Sequence, residues 1–525
     1  MPNHIFFTYI WQIICNYNLP NRIFFRYIWQ VICNYNLPNH IFFIPLWQFI
    51  KKKCMKIIGR DFEQTALQQY VKSDKPEFVA VYGRRRVGKT FLIKEFFKLS
   101  FAFYVTGLAN AGKKEQVKNF NAALNHYGGM PYSQEKSWLD MFRQLIHLLE
   151  HSRKKGKKVI FIDELPWFDT PRAGFITALE YFWNSWASSR PDILLIVCGS
   201  ATSWMINKLI KNHGGLHNRV TRRMLIAPFT LGECEKFFQH KKIVMDRRTI
   251  VENYMIFGGV PFYLDMIEKG LSLPQNVDKL CFSKNCTLKD EFSILYASLF
   301  NHSEKHIKVV NTLGKRAKGM TREEIIRASK LQGGGLSHVL EELEQCGFIR
   351  KYQSFEKKSK YPVFQLVDPY TLFYLHFIRP GTANKHFWTS MIDNARHRAW
   401  SGYAFELVCL VHEEQIKHKL GISGVTTHTA SWRSRNTSPG AQIDLIIDRN
   451  DNVINLCEMK YIKEEFAVDR KYHQNMCNKR DSFLQETKTR KAVHLTLITT
   501  YGVKQNDYYG LIQSEVKMND LFWEQ

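Results

Sequence analysis

Three short, almost uninterrupted apolar runs punctuate the first half of the chain: Phe78–Tyr82 (FVAVY), Val159–Ile162 (VIFI) and Ile193–Cys198 (ILLIVC). Runs of this length, rich in β-branched and aromatic residues, suit strands buried on both faces of a parallel sheet. The segments between them read as helical. Residues 55–230 are therefore expected to form an α/β unit, a parallel sheet covered by helices on both faces with a ligand site at the carboxyl ends of the strands. Further on, residues 306–366 show a different order. A helix (His306–Leu313) is followed by a second with capping-box character at Thr321-Arg322-Glu323-Glu324, a third around Ser337–Cys346, and two short β-rich stretches. That order predicts a winged helix within residues 301–380. After Pro380 the composition resets. One long helix from about Asn394 to Leu420 is expected, then two strands, Ile443–Ile447 and Val453–Lys460, joined by an Arg449–Asn452 turn, within a C-terminal α/β domain of residues 385–525. A chain of 525 residues is too long for one core and accommodates this many domains.

The N-terminus repeats itself. Residues 3–20 (NHIFFTYIWQIICNYNLP) recur as residues 21–38 with three differences, and a decaying copy starts at Asn39. Eighteen residues make about five helical turns, so equivalent aromatics would stack on one face of a continuous helix, but Pro20 and Pro38 interrupt it. Near-identical copies suggest duplicated DNA, and the first domain opens naturally at Met55. Residues 1–54 are accordingly expected to be a translated upstream repeat, with a membrane-surface or partner helix as the alternative.

The chemistry begins where the first strand ends. Gly83-Arg84-Arg85-Arg86-Val87-Gly88-Lys89-Thr90 is G-x-x-x-x-G-K-T between a strand and a helix. The glycines let backbone N–H groups wrap the phosphates of ATP, Lys89 reaches the β and γ phosphates, and Thr90 offers its hydroxyl to Mg2+. The second strand ends in Asp163-Glu164. Asp163 is expected to hold the Mg2+ shell and Glu164 to orient or deprotonate the attacking water. The third ends in Gly199-Ser200, which makes Ser200 a γ-phosphate sensor candidate, or simply part of a strand-ending turn. Arg219 is a candidate arginine finger, blurred by Arg222 and Arg223 nearby.

Charge points to a partner. The 74 Lys and Arg against 48 Asp and Glu give a formal charge of +26 and a pI near 9.5, which favours polyanions such as DNA. A generally basic surface is the plainer alternative. The eleven cysteines show no C-x-x-C pair, so neither a zinc site nor a disulfide framework is indicated, and a reducing cytoplasm fits. No stretch reaches the roughly 20 apolar residues that cross a bilayer, so membrane association is expected only if residues 1–54 are present and functional.

In the C-terminal domain, Asp444 and Glu458 fall at the ends of adjacent strands, and alternation puts Glu458 and Lys460 on one strand face. An acid followed by Glu-x-Lys on the next strand suits a Mg2+-dependent phosphodiesterase. Its carboxylates bind metal and its ammonium steadies the attacking water or the developing charge. Glu406, on the preceding helix, adds a further carboxylate. A surface salt bridge between strands is the alternative.

Two resemblances collect these residues. Ile57-Ile58-Gly59-Arg60, the triple-arginine loop, Asp163-Glu164-Leu165-Pro166, Gly199-Ser200 and Gly258-Gly259-Val260-Pro261-Phe262-Tyr263-Leu264 together resemble the archaeal-type ATPase family of AAA+ and STAND-related P-loop enzymes, over about residues 55–380. The resemblance implies a helical lid at residues 231–300 and an adenine-side position for Pro261. It also implies oligomerisation. Asn218 stands where glycine is expected, which weakens the Arg219 assignment. Gly440-Ala441-Gln442-Ile443-Asp444-Leu445 with Cys457-Glu458-Met459-Lys460 resembles the PD-(D/E)xK nuclease superfamily, and within it the uncharacterised domain that accompanies archaeal-type ATPases. The combined expectation is an ATPase that couples nucleotide state, through lid and winged helix, to a nuclease-like domain acting on or holding DNA. The alternatives are a STAND-type signalling switch whose C-terminal domain binds a protein, and a membrane-associated ATPase. Three acids on the third winged-helix helix argue against groove reading; the wing Glu356–Lys360 is basic.

Overall fold

The computed structural model describes residues 56–525 apart from 129–136, 212–213, 217, 301, 354, 356–361, 435–440 and 525. The aromatic repeats, the basic wing and Gly440 lie outside the described residues. Ile57–Gln525 is one compact unit.

Strands β1 (Glu77–Tyr82), β2 (Phe103–Thr106), β3 (Lys158–Asp163), β4 (Ile193–Gly199) and β5 (Arg222–Leu225) form a parallel sheet in the order β2-β3-β4-β1-β5. The three expected strands are its centre. Successive side chains of a strand point to opposite faces, and both faces are buried. Phe78 and Ala80 enter an apolar layer with Leu145 and Trp183, whereas Val79 and Val81 pack with Leu67, Leu92 and Ile93 on the other side. At about 25 cal/mol per Å2, such two-sided burial is what holds short strands with no helical or turn signal of their own. The strand order reverses beside β1, so the crevice outside the carboxyl ends of β1, β3 and β4 is where a nucleotide belongs.

Helices Leu231–His240, Arg247–Phe257, Pro261–Asp265, Leu273–Cys281 and Glu291–Leu299 follow. Next come helix Ser303–Leu313, β6 (Met320–Thr321), helices Arg322–Ser329 and Gly333–Gln345, β7 (Ile349–Tyr352) and β8 (Val363–Leu366), with the antiparallel order β6-β8-β7. Thr321 and Glu324 form the expected capping box, each accepting from the other's backbone N–H. The third helix starts at Gly333, four residues before the sequence indicates.

The C-terminal sheet has the order β13-β12-β11-β10-β9, built from β9 (Thr427–Arg433), β10 (Gln442–Arg449), β11 (Val453–Lys460), β12 (Ala492–Thr499) and β13 (Ser514–Lys517). β9, β10 and β11 are antiparallel; helix Arg470–Thr487 carries the chain across so that β12 runs parallel to β11. One face packs Ile446 and Leu456 on Met476 and Phe483 of that helix. The other packs Leu445, Cys457 and Met459 into a large cluster that also holds Ala404 and Phe405, the lid and the three-helix unit. No helix among the described residues is long and apolar enough to cross a membrane.

The helix expected to run from Asn394 to Leu420 is two, Ala395–Val411 and Glu413–Lys419. His412 sits at the break. Its Nδ1–H donates to Val408 O (2.8 Å) and its Nε2 accepts from the N–H of Leu231 (3.0 Å), which joins the C-terminal domain to the start of a lid helix. That geometry needs neutral imidazole, and burial pushes the His412 pKa from 6.5 down to about 4. An unfolded chain takes up this proton first as pH falls, so the stabilisation is complete above about pH 6.5 and is lost between there and pH 4. Acidification from pH 7 to about 4.5 should cost the wild type about 2 kcal/mol more than His412→Gln, read from urea midpoints. Equal losses would show that His412 carries no such linkage.

Candidate nucleotide site and a second acidic centre

The loop after β1 is shaped by its glycines. Gly83 has a φ of +141°, and a Cβ there would lie 2.3 Å from Ile226 O. Gly88 has a φ of +89° and starts helix Lys89–Phe96, whose N–H groups face the loop. Lys89 is buried with its Nζ folded across the loop, donating to Gly83 O (2.8 Å) and Arg84 O (2.9 Å), and burial pushes its pKa down. A cation so poorly solvated is poised to exchange those carbonyls for phosphate oxygens. Arg60, from the Ile57–Arg60 stretch, braces the loop from behind. Its Nη2 donates to Val87 O (3.2 Å) and Ala227 O (2.7 Å).

Thr90 Oγ1 donates to the carboxylate of Asp163 (2.9 Å to Oδ2), so the two proposed Mg2+ groups meet although β4 separates their strands. Burial pushes the Asp163 carboxyl up. A hydroxyl and a carboxylate in contact are the hard oxygen donors that Mg2+ takes, and the residues present fit that ion. Glu164 has a φ of +49°, a left-handed conformation uncommon outside glycine. Its carboxylate accepts from Ser200 Oγ (2.8 Å) and from the Ser200 N–H (3.3 Å). Ser200, expected to sense γ-phosphate, is here the partner of the acid expected to act on water. Arg219 is exposed in the turn ahead of β5.

The arginines of the loop face the rest of the chain. Arg84 is buried and paired with Asp368, just beyond β8, with its guanidinium over the Phe348 ring. Burial opposes its charge, yet the Asp368 carboxylate more than offsets that and raises its pKa. Its Nε and Nη2 are buried without a hydrogen-bond partner. Arg86 pairs with Glu291 and lies 4.1 Å from the Phe262 ring centroid; Tyr263 donates to the same Glu291 (2.8 Å). Arg85 is half-buried. Pro261 opens the short helix carrying Phe262 and Tyr263, which places it beside these arginines. Gly259 is there for close approach, because a Cβ on it would lie 1.9 Å from Phe229 O. Asp368 and Glu291 escape a reading of the sequence. The one local sign of Asp368 is its cap before Pro369, where it accepts from the Thr371 N–H (2.9 Å).

At the C-terminal sheet, Asp444 on β10 and Glu458 on β11 lie one step beyond the Leu445–Cys457 pair. Lys318, from the three-helix unit, bridges Asp444 and Glu406 (3.1 Å to Glu406 Oε2), and Gln442 Nε2 donates to Asp444 Oδ1 (2.9 Å). Glu458 accepts from Lys460 (3.2 Å) and Lys479 (2.7 Å). Burial and the charge of Asp444 push the Glu406 carboxyl up. Three carboxylates thus meet three ammonium groups. Among the described residues no three His, Cys, Asp or Glu side chains gather as a metal-binding group, so Glu406, Asp444 and Glu458 share a region without converging on one point.

Residues 58–267 match an ATPase domain found predominantly in Archaea. An uncharacterised protein of Methanocaldococcus jannaschii, MJECL04, is 23% identical over 412 residues, which covers 77% of this chain and 87% of that protein. A Walker-type ATPase of Pyrococcus abyssi is similar in structure, with 18% identity, a TM-score of 0.45, and coverage of 61% of this chain and 96% of that one. The ORC2 protein of Aeropyrum pernix, solved as ADPNP-ADP complexes, gives 14% identity and a TM-score of 0.39 over 61% of this chain and 93% of that one.

Proposed function

The chain carries an archaeal-type ATPase domain, and from that premise we propose an ATP-driven device in which Mg2+-dependent hydrolysis moves a winged helix and a nuclease-like domain against DNA. Gly83 to Thr90 wrap the phosphates, Lys89 leaves its carbonyls for the β and γ phosphates, and Pro261 borders the adenine side. Thr90 and Asp163 hold Mg2+, which when bound screens the phosphate charge. Glu164 orients and deprotonates the attacking water once it lets go of Ser200. Arg219, exposed, serves a neighbouring copy as an arginine finger if the chain assembles. The observation that carries the coupling is the pair of contacts Arg84–Asp368 and Arg86–Glu291, which ties the phosphate loop to the lid and to the unit beyond it. A ligand moves such elements only through differential affinity for their arrangements.

For residues 301–380 the helix and strand order supports a winged helix. Its third helix bears Glu341, Glu342 and Glu344, which suits coupling better than groove reading. For residues 385–525 a helix, three antiparallel strands and a crossover helix to a parallel strand support the nuclease-like reading, with Glu406, Asp444 and Glu458 as metal ligands and Lys460 beside the attacking water. A second reading has its own observation. The acids are neutralised by lysines, as in a domain that holds a partner without cutting, and the protein would then be a signalling switch.

ATP hydrolysis with and without DNA, with the same DNA watched for nicks, separates the two. DNA-stimulated turnover, with nicking reduced about 100-fold or more in Asp444→Asn and turnover retained, is the expected result. Unstimulated turnover with intact DNA decides for the switch.

A further inference from the structure

The C-terminal carboxylates already have a cation, and it comes from another part of the chain. Lys318 lies between helix Ser303–Leu313 and β6, 126 residues from Asp444 in sequence, yet its Nζ donates to both Asp444 and Glu406. The backbone beneath it is pinned. Lys318 O accepts from the Tyr352 hydroxyl (2.8 Å) on β7, and Ala317 O accepts from the Gln365 amide (2.6 Å) on β8. β8 runs on to Asp368, the partner of Arg84, and the Arg84 carbonyl is held by Lys89 Nζ (2.9 Å). A continuous run of short contacts therefore joins the lysine of the phosphate loop to the carboxylates of the C-terminal sheet.

Burial works against the Lys318 charge, but Asp444 and Glu406 more than compensate and hold its pKa above the ordinary lysine value. The group stays an ammonium at neutral pH. It leaves the carboxylates by moving and not by losing its proton. A divalent ion needs the same oxygens and would meet a fixed positive charge among them.

We infer that Lys318 is a built-in counter-cation that closes Glu406 and Asp444 to divalent metal until nucleotide fills the phosphate loop. The inference rests on the C-terminal metal-site reading. Phosphate draws Lys89 off the Gly83 and Arg84 carbonyls, the Arg84–Asp368 contact is free to shift, and β8 carries the Ala317–Lys318 backbone with it. The same ammonium that neutralises the carboxylates at rest thus makes their chemistry conditional on ATP. A cleavage centre in a strongly basic protein that meets DNA before it meets its trigger needs such a restraint.

The test is Mn2+ binding to the nucleotide-free full chain, followed by the paramagnetic signal of free Mn2+. If the carboxylates are open in under about a tenth of molecules, Lys318→Met should tighten Mn2+ by about tenfold or more. Lys318→Arg should stay near the wild type, and Lys318→Met with Asp444→Asn should lose the gain. In a parallel measurement, acetylation of Lys318 by a succinimide ester, read by peptide mass, should rise several-fold when the imido analogue of ATP is added with Mg2+. An Asp444-dependent Mn2+ site equally tight in wild type and Lys318→Met would overturn the lock and leave the metal site standing. Absence of any Asp444-dependent site in either protein would remove the metal reading itself. Labelling indifferent to nucleotide would sink the link to the phosphate loop.

Discussion

Glu164→Gln should lower ATP turnover by about 10²- to 10⁴-fold, the usual span for losing a positioned general base, while ATP still binds. The amide keeps the size of the carboxylate and its place at the end of β3, and Thr90 and Asp163 are untouched. What it lacks is the charge that attracts a proton from water. The Ser200 contacts make the case sharper, because Ser200 Oγ and N–H both donate to Glu164. An amide oxygen can still accept one of these bonds, so the resting arrangement should survive and the loss should fall on kcat. Steady-state phosphate release beside equilibrium binding of a fluorescent ATP analogue provides the check. Undiminished turnover would take the water-activating role away from Glu164.

The largest effect on stability should come from Asp368→Ala. Removing one partner of a buried ion pair typically costs about 3–5 kcal/mol, because the remaining charge stays buried. Arg84 is a severe case. Two of its guanidinium nitrogens already lack partners, and its remaining support is the Phe348 ring. Asp368 also caps the helix Pro369–Phe373, which adds about 1 kcal/mol. The urea midpoint should fall accordingly, and Arg84→Met with Asp368→Leu should recover much of it, since a well-packed apolar pair avoids both desolvation costs. A midpoint unmoved in Asp368→Ala would show that this contact does not hold the phosphate loop to the rest of the chain. The same double variant should hydrolyse ATP without passing its effect to the C-terminal domain, which separates stability from coupling.

Much of the nucleotide site was legible in the amino-acid sequence because its requirements are local. A strand buried on both faces must be apolar throughout, a loop that wraps phosphate must bend where only glycine bends easily, and the helix after it must begin at Lys89. All of that is written within Phe78–Phe96, and Asp163-Glu164 is likewise marked by the strand before it. The edge strands β2 and β5 were not legible: each has four residues, and Arg222 and Arg223 give β5 a polar sequence that only its pairing with β1 makes a strand. Nor was the break at His412, which depends on a Leu231 N–H 181 residues away.

The contacts that decide how the parts work together belong to the tertiary structure alone. Arg84 meets Asp368 across 284 residues, Lys318 meets Asp444 across 126, and Ser200 meets Glu164 across 36. An ion pair asks of the sequence only a charge of each sign, and this chain has many of both, so nothing local singles out the partners. Packing selects them by burying one charge where a single opposite charge can reach it. The sequence by itself determined that the chain has a phosphate loop and a matching pair of acids, since backbone geometry and strand burial admit few residues there. Only the fold decided that the loop's arginines grip the lid and the unit beyond it, and that a lysine from that unit sits on the C-terminal carboxylates.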